Sequence, residues 1–365
     1  MIVIAGKNNI AVNALTHLAT FINPENLGIV CNNTENGKDF WQLSLRKKAL
    51  EIGVSELSLF EAERVADVFI SLEFDKIINV KKFNTKEIFN IHFSLLPKYR
   101  GVYTSSLPIL NNEAETGVTL HQIDSGIDSG CIISQKKIKI NDYDCSLDLY
   151  IKYCNIGFDL FVDTIKSILN GSYSSTKQDA TMLSYYSRES IDFSQNQINI
   201  NQNANDIIKF IKAFAFRPFQ LPIYNKRHIV KGEILDCNSK KSNDTTYKSS
   251  DDFIDVSALD EFVRLYYDRF DVAYELCKHN NLISNSKILN NLINVDDRTK
   301  QLQTLLMISV EKGFFDQTKL LVSYGANVNA TDRSGKSVLE YANSRNMIGK
   351  NIMIERFLKE NGAKI

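Results

Sequence analysis

The chain has 365 residues, 44% of them hydrophobic, 24% charged and 10% aromatic, which excludes wholesale disorder and supplies apolar side chains for a packed core. Its length is about twice the commonest domain size, so two or three domains are expected rather than one globule. The 43 basic residues balance 43 acidic ones, which excludes broad attraction to nucleic acid or anionic membranes; any anionic ligand must be gripped locally.

Residues 1–5 form an apolar run with no basic segment before it and Gly6 after it, which reads as a first strand rather than a secretory signal and predicts a cytoplasmic protein. No stretch reaches eighteen uncharged apolar residues, so no membrane span is expected. The six cysteines, at 31, 131, 145, 154, 237 and 277, show no C-x-x-C pair and read as free thiols. Further along, 27–31, 66–72 and 88–93 read as strands and 10–21 and 39–52 as helices, the rhythm of βαβ units and a mainly parallel sheet. Tyr150, Tyr153, Cys154, Phe158, Phe161, Ile165 and Leu169 follow one helical face that stops at Asn170-Gly171. A catalytic α/β core is therefore expected over 1–183.

Residues 184–236 differ in texture. A short helical pattern at 206–214 precedes two β-prone runs joined by Asn225-Lys226, predicting a small α/β appendage with a β-hairpin. Residues 237–252 are almost wholly polar and read as a linker. From 253 to 365 the pattern reads as an all-α module. Within it Thr304-Leu305-Leu306 and Ser337-Val338-Leu339 stand 33 residues apart, and Gly-Ala pairs occur at 325 and 362. Thirty-three is the ankyrin period, in which two antiparallel helices end on a glycine that turns into the next loop. Residues 262–281 read as an eroded first unit with Asn280-Asn281 near the glycine position, and an insertion is expected around 344–350. Two clear repeats and one eroded one fall short of an independent array, so the module should lean on the rest of the protein or on a second copy.

The densest cluster of reactive side chains is Asn90-Ile91-His92-Phe93-Ser94-Leu95-Leu96-Pro97-Lys98-Tyr99-Arg100-Gly101. Gly117-Val118-Thr119-Leu120-His121 and Asp124-Ser125-Gly126-Ile127-Asp128-Ser129-Gly130 follow. On a strand, Asn90 and His92 share a face, and Asp128 lies in a glycine-containing loop able to fold over it. An amide, an imidazole and a carboxylate suit acyl transfer to an amine. The carbonyl oxygen gains charge, the amine loses a proton and the base needs a fixed tautomer, with no nucleophilic Ser or Cys required. Asp124 and Asp128 alone suggest no metal site, for want of a third ligand. His121 is read as a structural histidine, and His17, His228 and His279 have no reactive groups around them.

The elements N-x-H-x-S-L-L-P-x-Y-R-G, G-V-T-x-H and D-x-G-x-I-x-x-Q (Asp128, Gly130, Ile132, Gln135) resemble, in this order, the catalytic core of the 10-formyltetrahydrofolate-dependent formyltransferases across residues 1–180. The resemblance implies a Rossmann-like fold, 10-formyltetrahydrofolate as formyl donor and no metal. It also implies that Asn90 and His92 stabilise the oxyanion and manage the amine proton, while Asp128 orients His92. By the same resemblance the pterin cleft takes Glu73, Phe74, Asp75, Lys76, Leu95, Asp124 and Ser125. Phe93 stands where the purine and tRNA branches often carry Pro, which favours the sugar branch.

The segments Y-Y-S-R (185–188), I-D-F (191–193) and I-K-A-F-A-F-R-P-F-Q (211–220) resemble the sugar nucleotide formyltransferases. They imply aromatic faces for a pyrimidine and cations for a diphosphate. Substrate contacts are accordingly expected at Ser94, Arg100, Tyr103, Tyr186, Arg188, Lys209, Phe216, Arg217 and Gln220. The implied activity is N-formylation of a dTDP-linked amino-dideoxyhexose for O-antigen or surface-polysaccharide synthesis, by a homodimer that binds neither nucleic acid nor membrane. Fusion to a C-terminal ankyrin-type module resembles a subset of these enzymes that act on 3-amino-3,6-dideoxyhexoses, which implies a sugar of that kind, of the glucose or galactose series. One alternative is a methionyl-tRNA formyltransferase, which calls for a basic C-terminal β-barrel. Another is an ankyrin scaffold with a passenger core, against which the intact Asn90, His92 and Asp128 argue. The module is also read as a place for a protein ligand or a second sugar nucleotide, with Arg298, Lys300, Tyr324 and Arg333 available there.

Overall fold

Five consecutive buried residues, Ile2–Gly6, form strand β1, and the run is apolar because parallel strands are covered on both faces. The computed structural model describes residues 1–364 other than 218, 236–247, 293–294, 300–302, 333–335 and 344–350. The chain divides into two units, Met1–Ser194 and Gln195–Ile365.

In the first unit β1 leads into α1 (Asn8–Leu18), β2 (Leu27–Cys31), α2 (Leu45–Ile52), β3 (Ser55–Glu56), α3 (Leu59–Val65), β4 (Val68–Leu72) and β5 (Ile88–His92). After these come β6 (Arg100–Gly101), α4 (Leu107–Leu110), β7 (Glu115–Gln122), β8 (Ile132–Lys139), α5 (Ser146–Leu169) and β9 (Tyr185–Tyr186). Seven strands make one sheet in the order β3-β2-β1-β4-β5-β7-β8, parallel through β5 and antiparallel at β7 and β8. The strand order reverses between β1 and β4, and the crevice outside the carboxyl ends of such strands is where open α/β sheets take ligands. There the backbones approach so closely that a Cβ on Gly6 would lie 1.8 Å from the Leu72 carbonyl oxygen, which only glycine avoids.

Helix α2 starts at Leu45 rather than at the expected Asp39. Ser44 is its N-cap, accepting from the Lys47 N–H at 3.0 Å, while the buried Asp39 accepts from the Ser44 N–H at 2.9 Å and pairs with the Lys47 ammonium. Helix α5 ends at Leu169 with Asn170 as its C-cap, and Gly171 follows with φ +63°, as the Asn-Gly pair predicts.

In the second unit α6 (Ala204–Phe214) packs Ile207 and Ile211 in one core with Ile229, Val263 and Leu265 of a four-stranded antiparallel sheet. The sheet comprises β10 (Ile223–Tyr224), β11 (Arg227–Leu235), β12 (Phe253–Ser257) and β13 (Phe262–Tyr267), in the order β10-β11-β13-β12. Asn225 and Lys226 turn the β10–β11 hairpin with φ of +49° and +64°, the left-handed pair that matches strand twist. The expectation of an all-α module from residue 253, with an eroded helical unit beginning at 262, fails for β12 and β13. Val263, Leu265 and Tyr267 are buried while Phe262, Arg264 and Tyr266 are half-exposed, a period of two that belongs to a strand.

Helices follow from residue 270: α7 (Phe270–Lys278), α8 (Leu305–Glu311), α9 (Phe315–Ser323), α10 (Val338–Ala342) and α11 (Asn351–Glu360). The spacing of 33 residues recurs in detail. Thr304 and Ser337 cap α8 and α10 through their hydroxyls, and each pairs in a β-bridge with a residue upstream, Arg298 and Thr331 respectively. Gly325 and Gly362 follow α9 and α11 with φ of +86° and +89°, and Asn280 after α7 has φ +58°. The expected insertion at 344–350, most of the polar linker, and Cys237, Lys300 and Arg333 lie outside the described residues. Among the described residues, no helix is long and apolar enough to cross a membrane.

Candidate active site

Strand β5 carries Asn90 and His92 to the carboxyl end of the sheet, two residues apart and so on one face. Its antiparallel partner β7 sets Thr119 opposite His92 and His121 opposite Asn90. The chain then turns back. The Thr119 hydroxyl donates to the Ser94 carbonyl at 2.6 Å and accepts from the Leu96 N–H at 3.1 Å, and the Gln135 amide donates to the Leu96 carbonyl at 2.9 Å. This lock delivers the Tyr99 carbonyl to within 2.8 Å of His92 Nε2.

That contact fixes a tautomer. A carbonyl only accepts, so Nε2 bears the proton and the neutral imidazole keeps its lone pair on Nδ1. Asp128 Oδ2 stands 3.5 Å from Nδ1. The same oxygen accepts from the Gly101 N–H at 2.9 Å. Gly101 has φ +95°, and a Cβ there would lie 2.1 Å from the Tyr186 carbonyl oxygen, so glycine is required for β6 to lie against β9 and meet Asp128.

His121 obeys the same logic. Its Nδ1–H donates to the Gln122 carbonyl at 2.7 Å, which leaves Nε2 to accept from the Asn90 amide at 3.2 Å. Burial pushes its pKa down to about 4, against the opposing pull of Asp128, so it is neutral at neutral pH. The reading of His121 as a merely structural histidine missed this. The signal was the two-residue step from Thr119 to His121, which sets both on one face of β7.

These groups line one side of a cleft of about 720 Å³. Of the residues expected at a pterin, Glu73, Phe74, Asp75, Lys76 and Asp124 line it, while Leu95 and Ser125 do not. Leu95 is drawn to Gly117, where a Cβ would meet its side chain at 2.5 Å, and Ser125 is an exposed loop residue. Glu73 accepts from Tyr150 at 2.6 Å and Asn8 at 3.1 Å, and burial raises its pKa above the ordinary carboxylate range. Asp124 shapes its own loop, accepting from Ser129 at 2.6 Å and the Gly126 N–H at 3.0 Å. Lys7, at the end of β1, also faces the cleft, unnoticed in the sequence because a single Lys after a strand carries no pattern.

Of the expected acceptor contacts, Tyr103, Tyr186 and Arg188 line the cleft. Tyr186 stacks on Tyr99 at 5.4 Å, so one of its faces is taken. Ser94 is fully buried with its hydroxyl on the Lys98 carbonyl, which makes it part of the turn rather than the cleft. Arg100 is absorbed by Gln178. Lys209, Phe216, Arg217 and Gln220 belong to the second unit. Lys209 pairs with Asp206, Phe216 is buried, Gln220 closes a tight turn with Phe216, and Arg217 is held between the carboxylates of Asp268 and Asp297.

A family profile described as formyl transferase matches residues 47–165. Among solved structures, WlaRD, a sugar 3N-formyl transferase crystallised in the presence of dTDP and 5-N-formyl-THF, is 40% identical, with TM-score 0.67 over 73% of this chain and 97% of that one. The N-formyltransferase from Helicobacter canadensis, in complex with folinic acid and dTDP-3-aminofucose, is 39% identical, with TM-score 0.67 over 73% of this chain and 99% of that one. The methionyl-tRNA formyltransferase of Malacoplasma penetrans is 30% identical over 46% of this chain and 52% of its own length. The chain thus spans about half the length of the curated relatives it matches, 52% of that protein and 42% of its Kosmotoga olearia counterpart.

Proposed function

The chain belongs to the formyl transferase family, and from that premise we propose that it transfers the formyl group of 10-formyltetrahydrofolate to the amine of a dTDP-linked 3-amino-3,6-dideoxyhexose. The observation that carries the substrate class is near-complete coverage, 97% and 99%, of two sugar formyltransferases at about 40% identity, one with dTDP and one with dTDP-3-aminofucose. The methionyl-tRNA reading rests on curated relatives of which the chain covers between 39% and 70%, against 97% and 99% of the two sugar enzymes, and is the weaker alternative.

The cleft suits a flat heteroaromatic donor. Ile77 and Ile127 are 84% and 43% exposed at its rim beside Phe74, apolar surface that a bound ring would cover. Bound there, 10-formyltetrahydrofolate supplies an activated formyl carbonyl. His92 receives the amine proton at Nδ1, the nitrogen left free by the Tyr99 carbonyl, Asp128 stabilises the imidazolium so formed, and the proton would then pass to N10 of the departing tetrahydrofolate as its bond to the formyl carbon breaks. Asn90, with one amide hydrogen spent on His121, keeps the other for the carbonyl oxygen as charge builds on it. The 33-residue recurrence in the second unit supports ankyrin-type repeats there, and the hairpin β10–β11 is our candidate element for a homodimer.

The test is a mass-spectrometric assay with 10-formyltetrahydrofolate and a panel of dTDP- and UDP-linked 3-amino and 4-amino sugars, with His92→Asn as control. One formyl group gained by a 3-amino sugar alone, absent in the variant, is the expected result. Formylation of methionyl-tRNA instead overturns the sugar reading.

A further inference from the structure

We propose that Gln178 is the positioning residue that sets the Asp128 carboxylate; the inference rests on the formyl-transfer reading for its catalytic consequence. Gln178 is half-buried in the irregular segment after α5 and makes four hydrogen bonds. Its Nε2 donates to the carbonyls of Asp128 and Gly130, both at 2.8 Å. Its Oε1 accepts from Arg100 Nε at 3.1 Å and from a terminal guanidinium nitrogen at 2.7 Å. The amide has one permissible orientation, because carbonyls only accept and a guanidinium only donates.

The four bonds join the two segments that must meet for catalysis. On one side is the 124–130 loop, in which Asp128 has φ +51°, in the left-handed region that Asp enters more readily than most side chains. On the other is β6, whose Gly101 N–H holds the Asp128 carboxylate at 2.9 Å. Gln178 itself is placed by Thr176, which exchanges two 2.8 Å backbone bonds with Ile132 at the start of β8, directly after the loop. One side chain thus spans from the backbone of Asp128 to the residue beside its carboxylate partner. Among the described residues the Asp128 carbonyl accepts from Gln178 alone, so without this side chain the peptide loses its tether and the Gly101 N–H is left to hold the carboxylate against His92.

Two variants test this. Gln178→Met keeps the shape and loses all four bonds. Gln178→Glu keeps the acceptor for Arg100 but turns a second oxygen against two carbonyls. Both are expected to lower kcat by about 10- to 100-fold, the effect of misplacing a catalytic group by roughly an ångström, with KM for both substrates changed less than about threefold. In both, amide exchange at Gly101 N–H, whose partner is Asp128 Oδ2, is expected to accelerate at least tenfold, with Tm and core protection near those of the wild type. Full activity with unchanged Gly101 exchange in Gln178→Met, or rescue by Gln178→Glu, overturns the proposal, as does a loss of kcat matched by an equal loss of protection throughout the core. Absence of any formyl transfer by the wild type overturns the functional reading, whereas Gly101 exchange still decides whether Gln178 places Asp128.

Discussion

His121 accepts a hydrogen bond from the Asn90 amide across the β5–β7 pair, 3.2 Å away. The imidazole works as a neutral acceptor because its own Nδ1–H is committed to the Gln122 carbonyl and burial holds its pKa at about 4. The amide of Asn90 is thereby turned in one direction, with its remaining N–H left for the cleft. Orientation of this kind is what gives a single donor its catalytic value, since a preformed dipole needs no reorganisation as charge develops.

Removing that acceptor should therefore cost rate before it costs fold. His121→Leu leaves the half-buried Asn90 donor without its acceptor, a penalty of at most about 1–3 kcal/mol, and is expected to lower kcat by about 10- to 100-fold. His121→Gln, which offers an amide oxygen, should recover part of the loss. Steady-state kinetics with melting curves separate the two effects; equal kcat for both variants would falsify the orienting role.

The same histidine makes stability pH-dependent. The unfolded chain protonates His121 near 6.5, whereas the folded protein resists protonation down to about 4. Acidification from 6.5 to 4 therefore favours the unfolded state by up to about 3 kcal/mol, and the loss levels off below 4. Denaturant titrations at pH 7 and pH 4.5 should show a smaller acid loss in His121→Gln than in the wild type.

How far the sequence reaches is seen at these residues. Asn90 and His92 were legible because a two-residue step on a strand is local, and Asp128 because its loop motif follows in order. His121 was not, because its partner is chosen by the register of β5 on β7, a non-local fact. Arg217 read as a free cation for a phosphate, while its carboxylate partners lie 51 and 80 residues further on. In β13, Val263, Tyr266 and Tyr267 stand at the i, i+3, i+4 spacing of a helical face, and only pairing with β11 and β12 settles the segment as a strand.

Asp128→Asn separates charge from placement. Asparagine retains an oxygen to accept from the Gly101 N–H, so the loop should keep its position and the melting temperature should change little. The imidazolium of His92 loses its counter-charge, and kcat is expected to fall by about 10²- to 10⁴-fold. Retained binding of folinic acid by the inactive variant, measured by calorimetry, would confirm that the cleft is intact; wild-type turnover would remove Asp128 from the proton path.

Glu73 titrates in the opposite sense to His121. Burial raises its folded pKa above the unfolded value, against the opposing hydrogen bonds of Tyr150 and Asn8. The folded state thus holds its proton more tightly, the stabilisation is complete below the unfolded pKa, and it is lost as pH rises through the folded one. Glu73→Gln keeps an acceptor for both partners and cannot ionise. Its Tm relative to the wild type should rise between pH 4 and pH 8; a constant difference would mean that Glu73 folds with its ordinary acidity.

Arg217 carries the last prediction, and it concerns the second unit. Its guanidinium pairs with Asp268 and with Asp297, only 4% of whose side chain is exposed, and its charge lies 5.3 Å from the Phe270 ring. Arg217→Met leaves two neighbouring carboxylates without their cation, one of them out of reach of water. Breaking a buried pair in this way costs about 3–5 kcal/mol, so a marked fall in the denaturation midpoint is expected. Asp297→Asn combined with Arg217→Met removes one of the stranded charges and should recover part of the loss. A merely weaker nucleotide affinity at unchanged stability would instead return Arg217 to the ligand-binding role that its sequence context implies.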